Sequence, residues 1–241
     1  MTAAPQPAGT PAPGMPPTGV AGLQGLWRRS LIAWPSRGAS DTTTTVRWLQ
    51  GPRAYIDLRQ PAPIPDFSRA RTLEDLTYDD CAWLARQEGF AGDLSFDGMH
   101  FEWLREIDFQ PPSPSADAGS LRWEGDVLIE TGRDADYIEH WHRDPSIPTT
   151  PADLVDLQGR AHKTPATLLR VGPHFMFARA RATSLRKGYG SLAEYVAAAP
   201  DLTHARELID CEISFGRVDE SGLRITASTL PYRIGSLLEL E

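Results

Sequence analysis

The sequence predicts a mainly β protein, a single antiparallel β-barrel of about ten strands with two or three short helices. Three observations carry this. Short runs rich in β-branched and aromatic residues recur along the chain. Brief Gly, Pro and Asp turn signals separate most of them, so neighbours are expected to pair antiparallel. Full-length helices between the strands, the mark of parallel βαβ units, are lacking.

Residues 26–34 (LWRRSLIAW) read as a first strand, ended by the turn signal Pro35-Ser36-Arg37-Gly38. The β-branched run 42–50 is a second strand and 53–60 a third, with Gly51-Pro52 between them. Residues 61–71 form a proline-containing loop. Over 73–90 the period changes to that of a helix, with Thr77 and Asp80 as its cap and Gly89 as its stop. Strands resume at 91–98, turn at Asp97-Gly98 and continue over 99–110. Residues 120–132 hold two short strands around Glu124-Gly125-Asp126, and 135–143 another. Residues 144–165 read as a loop, in which 151–157 can form a short helix. Strands follow at 167–172 and 174–182, a helix at 191–199, and strands at 207–218 and 223–231. Residues 1–22, made mostly of Pro, Ala, Gly and Thr, are expected to be a disordered tail, and 23–241 one barrel domain.

The chain has 241 residues, 41% of them hydrophobic and 23% charged, the balance of an ordinary globular protein. Its net charge of −8 argues against nucleic-acid binding, which needs a basic surface. Lys163 and Lys187 are the only lysines among 24 basic residues, a bias that fits a GC-rich, bacterial genome. No apolar run is long enough to span a membrane, and the N-terminus lacks the basic and apolar regions of a secretory signal, so a cytoplasmic protein is expected. Cys81 and Cys211 read as buried free thiols rather than a disulfide framework.

Strand alternation sorts side chains onto two faces. Val46, Trp48 and Gln50 share one, as do Tyr55, Asp57 and Arg59. Trp103 lies opposite Glu102. Glu139, Trp141 and Arg143 share a face, as do Phe177 and Arg179. Aromatic and charged residues thus recur together. Such faces can look at solvent and form cross-strand pairs, or they can line a barrel interior as a ligand pocket. On the second reading, Trp48, Gln50, Tyr55, Arg59, Trp103, Trp141, Arg143, Phe177 and Arg179 are the candidate ligand-binding residues.

Gly25-Leu26-Trp27 resembles the G-x-W element that opens the first strand of lipocalins, and Asp136-Tyr137 is similar to their later T-D-Y element, with Ala135 in place of Thr. The resemblance implies a closed antiparallel (calycin) barrel with a cavity for a small, mostly apolar molecule. It also implies that Trp27 closes one end of the barrel against an arginine near the last strand, for which Arg233 is the candidate. Residues 61–90, with their helix, depart from that family's hairpins.

Motifs for nucleotide-driven or hydrolytic chemistry are lacking: no phosphate-binding glycine loop and no nucleophile elbow occurs. His140-x-His142 points two rings to one face, with His100 or His174 as a third ligand from a neighbouring strand, but no Glu follows at the spacing of cupin-type metal sites, so neither a metal nor a cofactor is expected. Glu102, Asp57, Glu130 and Glu139 lie mid-strand beside aromatic residues. Desolvation there would raise their pKa values and suit general acid–base work, and Glu102, Glu139 and Asp57 are the candidate catalytic residues. The expected function is binding of a small apolar or aromatic molecule, with room for an anionic group. The alternative is a cofactor-independent isomerase, lyase or hydratase using the same cavity. A scaffold with a filled core is a third reading. No membrane partner is expected, and homodimerisation is left open.

Overall fold

The computed structural model describes residues 14–145, 152–156, 164–185 and 188–239. Its first sheet has nine strands: β1 (Gly25–Trp34), β2 (Ala39–Asp41), β3 (Thr45–Gln50), β4 (Ala54–Gln60), β5 (Glu88–Phe96), β6 (Phe101–Asp108), β7 (Ala118–Glu124), β8 (Val127–Gly132) and β9 (Ile138–Arg143). Eight of these, β1 and β3 to β9, run as an antiparallel meander. The last, β9, returns to pair with β1, from Trp27↔Arg143 to Ala33↔Ile138. Closure removes the free edges that an open sheet would expose. β2 is a short addition on residues 32–34 of β1.

The predicted antiparallel barrel is therefore present, with eight strands rather than about ten. Because β9 closes on β1, no edge remains for the strands that follow. They form a second antiparallel sheet in the order β10 (Ala152–Asp156), β11 (Ala166–Val171), β12 (His174–Arg179), β13 (Glu212–Asp219) and β14 (Gly222–Ser228). Residues 152–156, within the stretch read as a short helix, form β10 instead, paired with β11 from Ala152↔Val171 to Asp156↔Thr167.

The helices are α1 (Tyr78–Leu84), α2 (Leu192–Ala197) and α3 (Leu202–Ile209). The predicted cap of α1 is formed: Thr77 accepts from the Asp80 backbone N–H, and the Asp80 carboxylate accepts from that of Thr77 at 2.7 Å. The helix is shorter than 73–90 because the chain enters β5 at Glu88, so Gly89 is a strand residue and not a helix stop. The α3 helix covers the start of the stretch 207–218 that reads as strand. Its N-cap is Asp201, which accepts from the His204 N–H at 2.8 Å.

Two cores explain why the strand patterns are two-sided. Inside the barrel, Trp27, Val46, Trp48, Tyr55, Phe90 and Trp141 belong to one apolar cluster. On its outside, Leu49, Ile56 and Leu58 pack with Leu169, Met176 and Ile213 of the second sheet and with Leu84, Val196 and Leu208 of the helices. Both faces of β4 are consequently buried. Its mainly apolar face, with Ile56 and Leu58, is the one used against the second sheet, which leaves Tyr55, Asp57 and Arg59 directed into the barrel. Burying each such aliphatic side chain contributes about 1.5–3 kcal/mol.

Two irregularities shape the barrel wall. Between β5 and β6 the register slips after Ala91↔Ile107 to Gly92↔Arg105, leaving Glu106 as an extra residue. This bulge lets Ile107 join the outer core while Trp103 joins the inner one. A Cβ on Gly92 would lie 1.9 Å from the Leu104 carbonyl oxygen, so the close approach requires glycine. Between β6 and β7 the pairing is only Phe101↔Gly119 and Glu102↔Ala118, extended by one bond from Trp103 N–H to the Asp117 carbonyl at 2.9 Å. Past that bond the ladder is interrupted.

Of the expected N-terminal tail, residues 1–13 lie outside the described residues. From Gly14 the chain lies on the barrel: the Gly14 N–H donates to the Trp123 carbonyl at 2.6 Å, and the Trp123 N–H to that of Met15 at 3.0 Å. A 3-10 turn, Val20–Leu23, then delivers Leu23 into the inner cluster. Among the described residues no helix is long and apolar enough to cross a membrane.

Candidate functional site

One end of the barrel interior is aromatic. Trp48 stands at its centre, stacked on Trp27 (ring centroids 5.5 Å apart) and meeting Trp103 and Trp141 edge-on at 5.8 and 5.3 Å. Trp27 closes this end. Its indole N–H donates to the Leu23 carbonyl at 2.7 Å, and the guanidinium of Arg143 lies 5.7 Å from its ring. Arg143 also donates to the Gln24 carbonyl. Gly25 supplies the fit: its φ is +140°, and a Cβ there would meet the Arg143 Nε at 2.9 Å. The arginine over Trp27 is therefore Arg143, at the end of the last barrel strand. Arg233 instead pairs with Glu212 at 3.0 Å in the second sheet, because the chain beyond β9 has left the barrel.

The other end of the interior is charged. Glu139 accepts from Arg29 at 2.5 Å and from Arg59 at 3.3 Å, and Arg59 is also bonded to Asp57 at 2.9 Å. Arg105 pairs with Asp117 at 2.6 Å and with Asp108 at 3.0 Å, so it reaches across the interruption between β6 and β7. Between the aromatic and charged ends lies a cavity of about 120 Å³, bounded by Trp48, Trp103 and Trp141 on one side and by Asp57, Arg59, Asp117, Glu130, Tyr137 and Glu139 on the other. Trp103, Asp117 and Tyr137 also line a surface cleft of about 660 Å³ beside β6. The cavity and the cleft thus share a wall where the strand ladder is interrupted.

Two of the carboxyl groups that border the cavity are shifted. Burial raises Asp57 from its ordinary 3.8 to about 6, against the opposing pull of Arg59. Burial pushes Glu130 well above its ordinary value, and the nearby charges of Glu139 and Asp117 add to this. Glu130 Oε2 accepts from the Trp141 indole at 3.0 Å, and Oε1 is 2.7 Å from the Tyr137 hydroxyl. An indole N–H only donates, whereas a phenol does either. Both can donate to the ionised Glu130, the Tyr137 hydroxyl to Oε1 and the indole to Oε2. The arrangement places two carboxyl groups of raised pKa, Glu130 and Asp57, in one cavity, a pair suited to donating and accepting protons.

The structure brings together six of the residues read from the sequence: Asp57, Glu139, Trp48, Arg59, Trp103 and Trp141 all border the cavity. The other six are elsewhere. Glu102 faces away from the interior, 3.8 Å from Arg133, because it alternates with the inward Phe101 and Trp103. Gln50 is buried but committed, accepting from the Trp48 indole at 3.0 Å and donating to the Gly51 carbonyl at 2.9 Å. Tyr55 is enclosed in the aromatic packing, edge-on to Phe90. Arg143 caps the Trp27 end, away from the cavity. Phe177 and Arg179 belong to the second sheet, where Phe177 joins a separate apolar cluster and Arg179 pairs with Asp210 at 2.7 Å.

Glu130, which the sequence offers as a mid-strand carboxylate, also borders the cavity as the Cα partner of Glu139 across β8 and β9, and Tyr137, outside the sequence-derived ligand set, borders it too. His140 and His142 alternate with the inward residues of β9, and His142 Nε2 lies 2.9 Å from Ser30 Oγ on the outside. Among the described residues no group of three or more His, Cys, Asp or Glu side chains is placed to hold a metal ion.

No model of a known protein family matches the chain, and no curated protein matches it in sequence. Among solved structures it is similar to the crystal structure of uncharacterized protein YLR301w from Saccharomyces cerevisiae, with a TM-score of 0.48 and 11% sequence identity, over 84% of each chain.

Proposed function

We propose that the protein binds a small molecule inside its barrel, as a lipocalin-like binder or carrier. The observation that carries this reading is the cavity of about 120 Å³ between the indoles of Trp48, Trp103 and Trp141 and the polar groups of β4, β8 and β9. The closed up-and-down barrel and the capping of Trp27 by Arg143 support the lipocalin-like assignment. The volume equals that of about four waters at roughly 30 Å³ each, so the molecule has few non-hydrogen atoms. Its body meets aromatic walls. An anionic group is disfavoured, because the one guanidinium that borders the cavity among the described residues, that of Arg59, is already held by Asp57 and Glu139.

Native against denaturing mass spectrometry of freshly purified protein tests the proposal. The expected result is a reproducible extra mass, lost on denaturation and lost in a Trp48→Phe/Trp141→Phe double variant that still folds. The same extra mass persisting in a folded variant would place the molecule elsewhere and sink the reading.

A second reading, a cofactor-independent enzyme of the isomerase, lyase or hydratase class, is favoured by one observation: Glu130 and Asp57, both shifted upward, border the same cavity. Under it, the copurified molecule is converted on incubation. Conversion stops in Asp57→Asn and continues in Glu102→Gln, which lies outside the cavity.

A further inference from the structure

Glu130 stands out among the buried carboxyl groups because, among the described residues, it forms no ion pair with a basic side chain. Its two oxygens are taken by neutral groups, the Tyr137 hydroxyl and the Trp141 indole. It is 3% exposed and borders the cavity. The neighbouring charges deepen the imbalance. Three guanidinium groups, those of Arg29, Arg59 and Arg105, serve the carboxyl groups of Asp41, Asp57, Asp108, Asp117 and Glu139. Glu130 is a sixth carboxyl group, reached by Arg59 only at longer range and bonded to none of them. Independently of that charge count, three indoles wall the same space, and aromatic walls with a buried carboxylate are the surroundings in which a desolvated ammonium group is most strongly held.

We propose that the ligand of the barrel cavity is a small organic cation, a primary amine or a quaternary ammonium compound, seated among Trp48, Trp103 and Trp141 with Glu130 as its counter-charge. This rests on the reading of the barrel as a small-molecule binder and narrows its ligand class. The charge balances by exchange. In the empty cavity Glu130 keeps its proton, because burial disfavours its charge and Glu139 and Asp117 face it, offset in part by Arg59 and Tyr137. An arriving cation replaces that proton, which leaves to solvent, and the site's net charge is unchanged.

Calorimetric titration of the full chain with methylammonium, tetramethylammonium and the neutral tert-butanol tests this. The ammonium probes have two and five non-hydrogen atoms, within reach of the cavity volume. At least one ammonium probe is expected to bind saturably, about tenfold or more tighter than tert-butanol, a difference of about 1.4 kcal/mol. Binding is expected to release a proton, read from the dependence of the heat on the buffer's ionisation enthalpy. Glu130→Gln, which keeps the shape, is expected to lose about tenfold or more in ammonium affinity with tert-butanol unaffected. If tert-butanol binds as well as the ammonium probes, or if no proton is released, the cation proposal falls while the pocket stands. If none of the three binds and no mass copurifies, the binder reading falls with it. Should Glu130→Gln fail to give a cooperative melt, the wild-type preference and proton release decide by themselves.

Discussion

Replacing Asp57 by Asn tests whether burial or its bond to Arg59 dominates the charged end of the barrel. Asp57 is 2% exposed and bonded to Arg59 at 2.9 Å, yet its pKa rises from 3.8 to about 6. In the unfolded chain the carboxyl group returns to its ordinary value. Between about pH 4 and about pH 6 the folded protein therefore keeps a proton that the unfolded chain has lost. The unfolded state binds fewer protons, so this group's contribution to stability falls as pH rises through that window. The interval is about 2 pH units at about 1.4 kcal/mol per unit, which makes the loss about 3 kcal/mol. Other carboxylates act in the opposite sense: Asp41 and Asp80, held by hydrogen bonds below the ordinary range, add stability as pH rises. The informative quantity is thus the difference between wild type and Asp57→Asn in urea unfolding, measured at each pH from about 3.5 to 7. The variant is expected to gain about 3 kcal/mol relative to wild type across the window, whatever constant cost it bears for the altered Arg59 bond. A flat difference, or one that moves the other way, would refute the argument that desolvation outweighs the ion pair.

Two further perturbations probe the frame. Ile56→Ala removes a fully buried side chain where the outer wall of β4 meets the second sheet, and a loss of about 2–5 kcal/mol in urea unfolding is expected; a loss below about 1 kcal/mol would mean that the sheet does not depend on that wall. Arg143→Ala removes the guanidinium over Trp27 and its bond to the Gln24 carbonyl, and about 2–3 kcal/mol is expected to be lost in the same assay. Arg143→Lys should restore only part of this, since an ammonium lacks the planar fork; full restoration would argue that charge alone matters.

Much of the barrel was legible because its signals are local. The meander from Trp27 to Arg143 follows from alternation and from turn residues between neighbours, and the capping box of α1 is a matter of two side chains three residues apart. Pairing of aromatic and charged residues on one face, as in Tyr55-x-Asp57-x-Arg59, was equally readable. What alternation could not settle was which face looks inward. The apolar face of β4 would by itself be expected inside. It lies outside, because the second sheet and the helices bring Leu169, Ile213 and Leu208 against it.

The sequence by itself determined the antiparallel class, the order of the first strands and the set of side chains that share each face, since these depend on residues near one another in the chain. Only the tertiary structure decided that β9 closes on β1. That single long-range pairing limits the barrel to eight strands, sends Phe177 and Arg179 into another sheet, leaves Arg233 paired with Glu212 of that sheet, and puts Arg143 over Trp27. It also decided the cavity. Asp57, Glu130 and Glu139 come from three strands, and the raised pKa values of Asp57 and Glu130 arise from enclosure, a property of the folded whole that no local pattern carries.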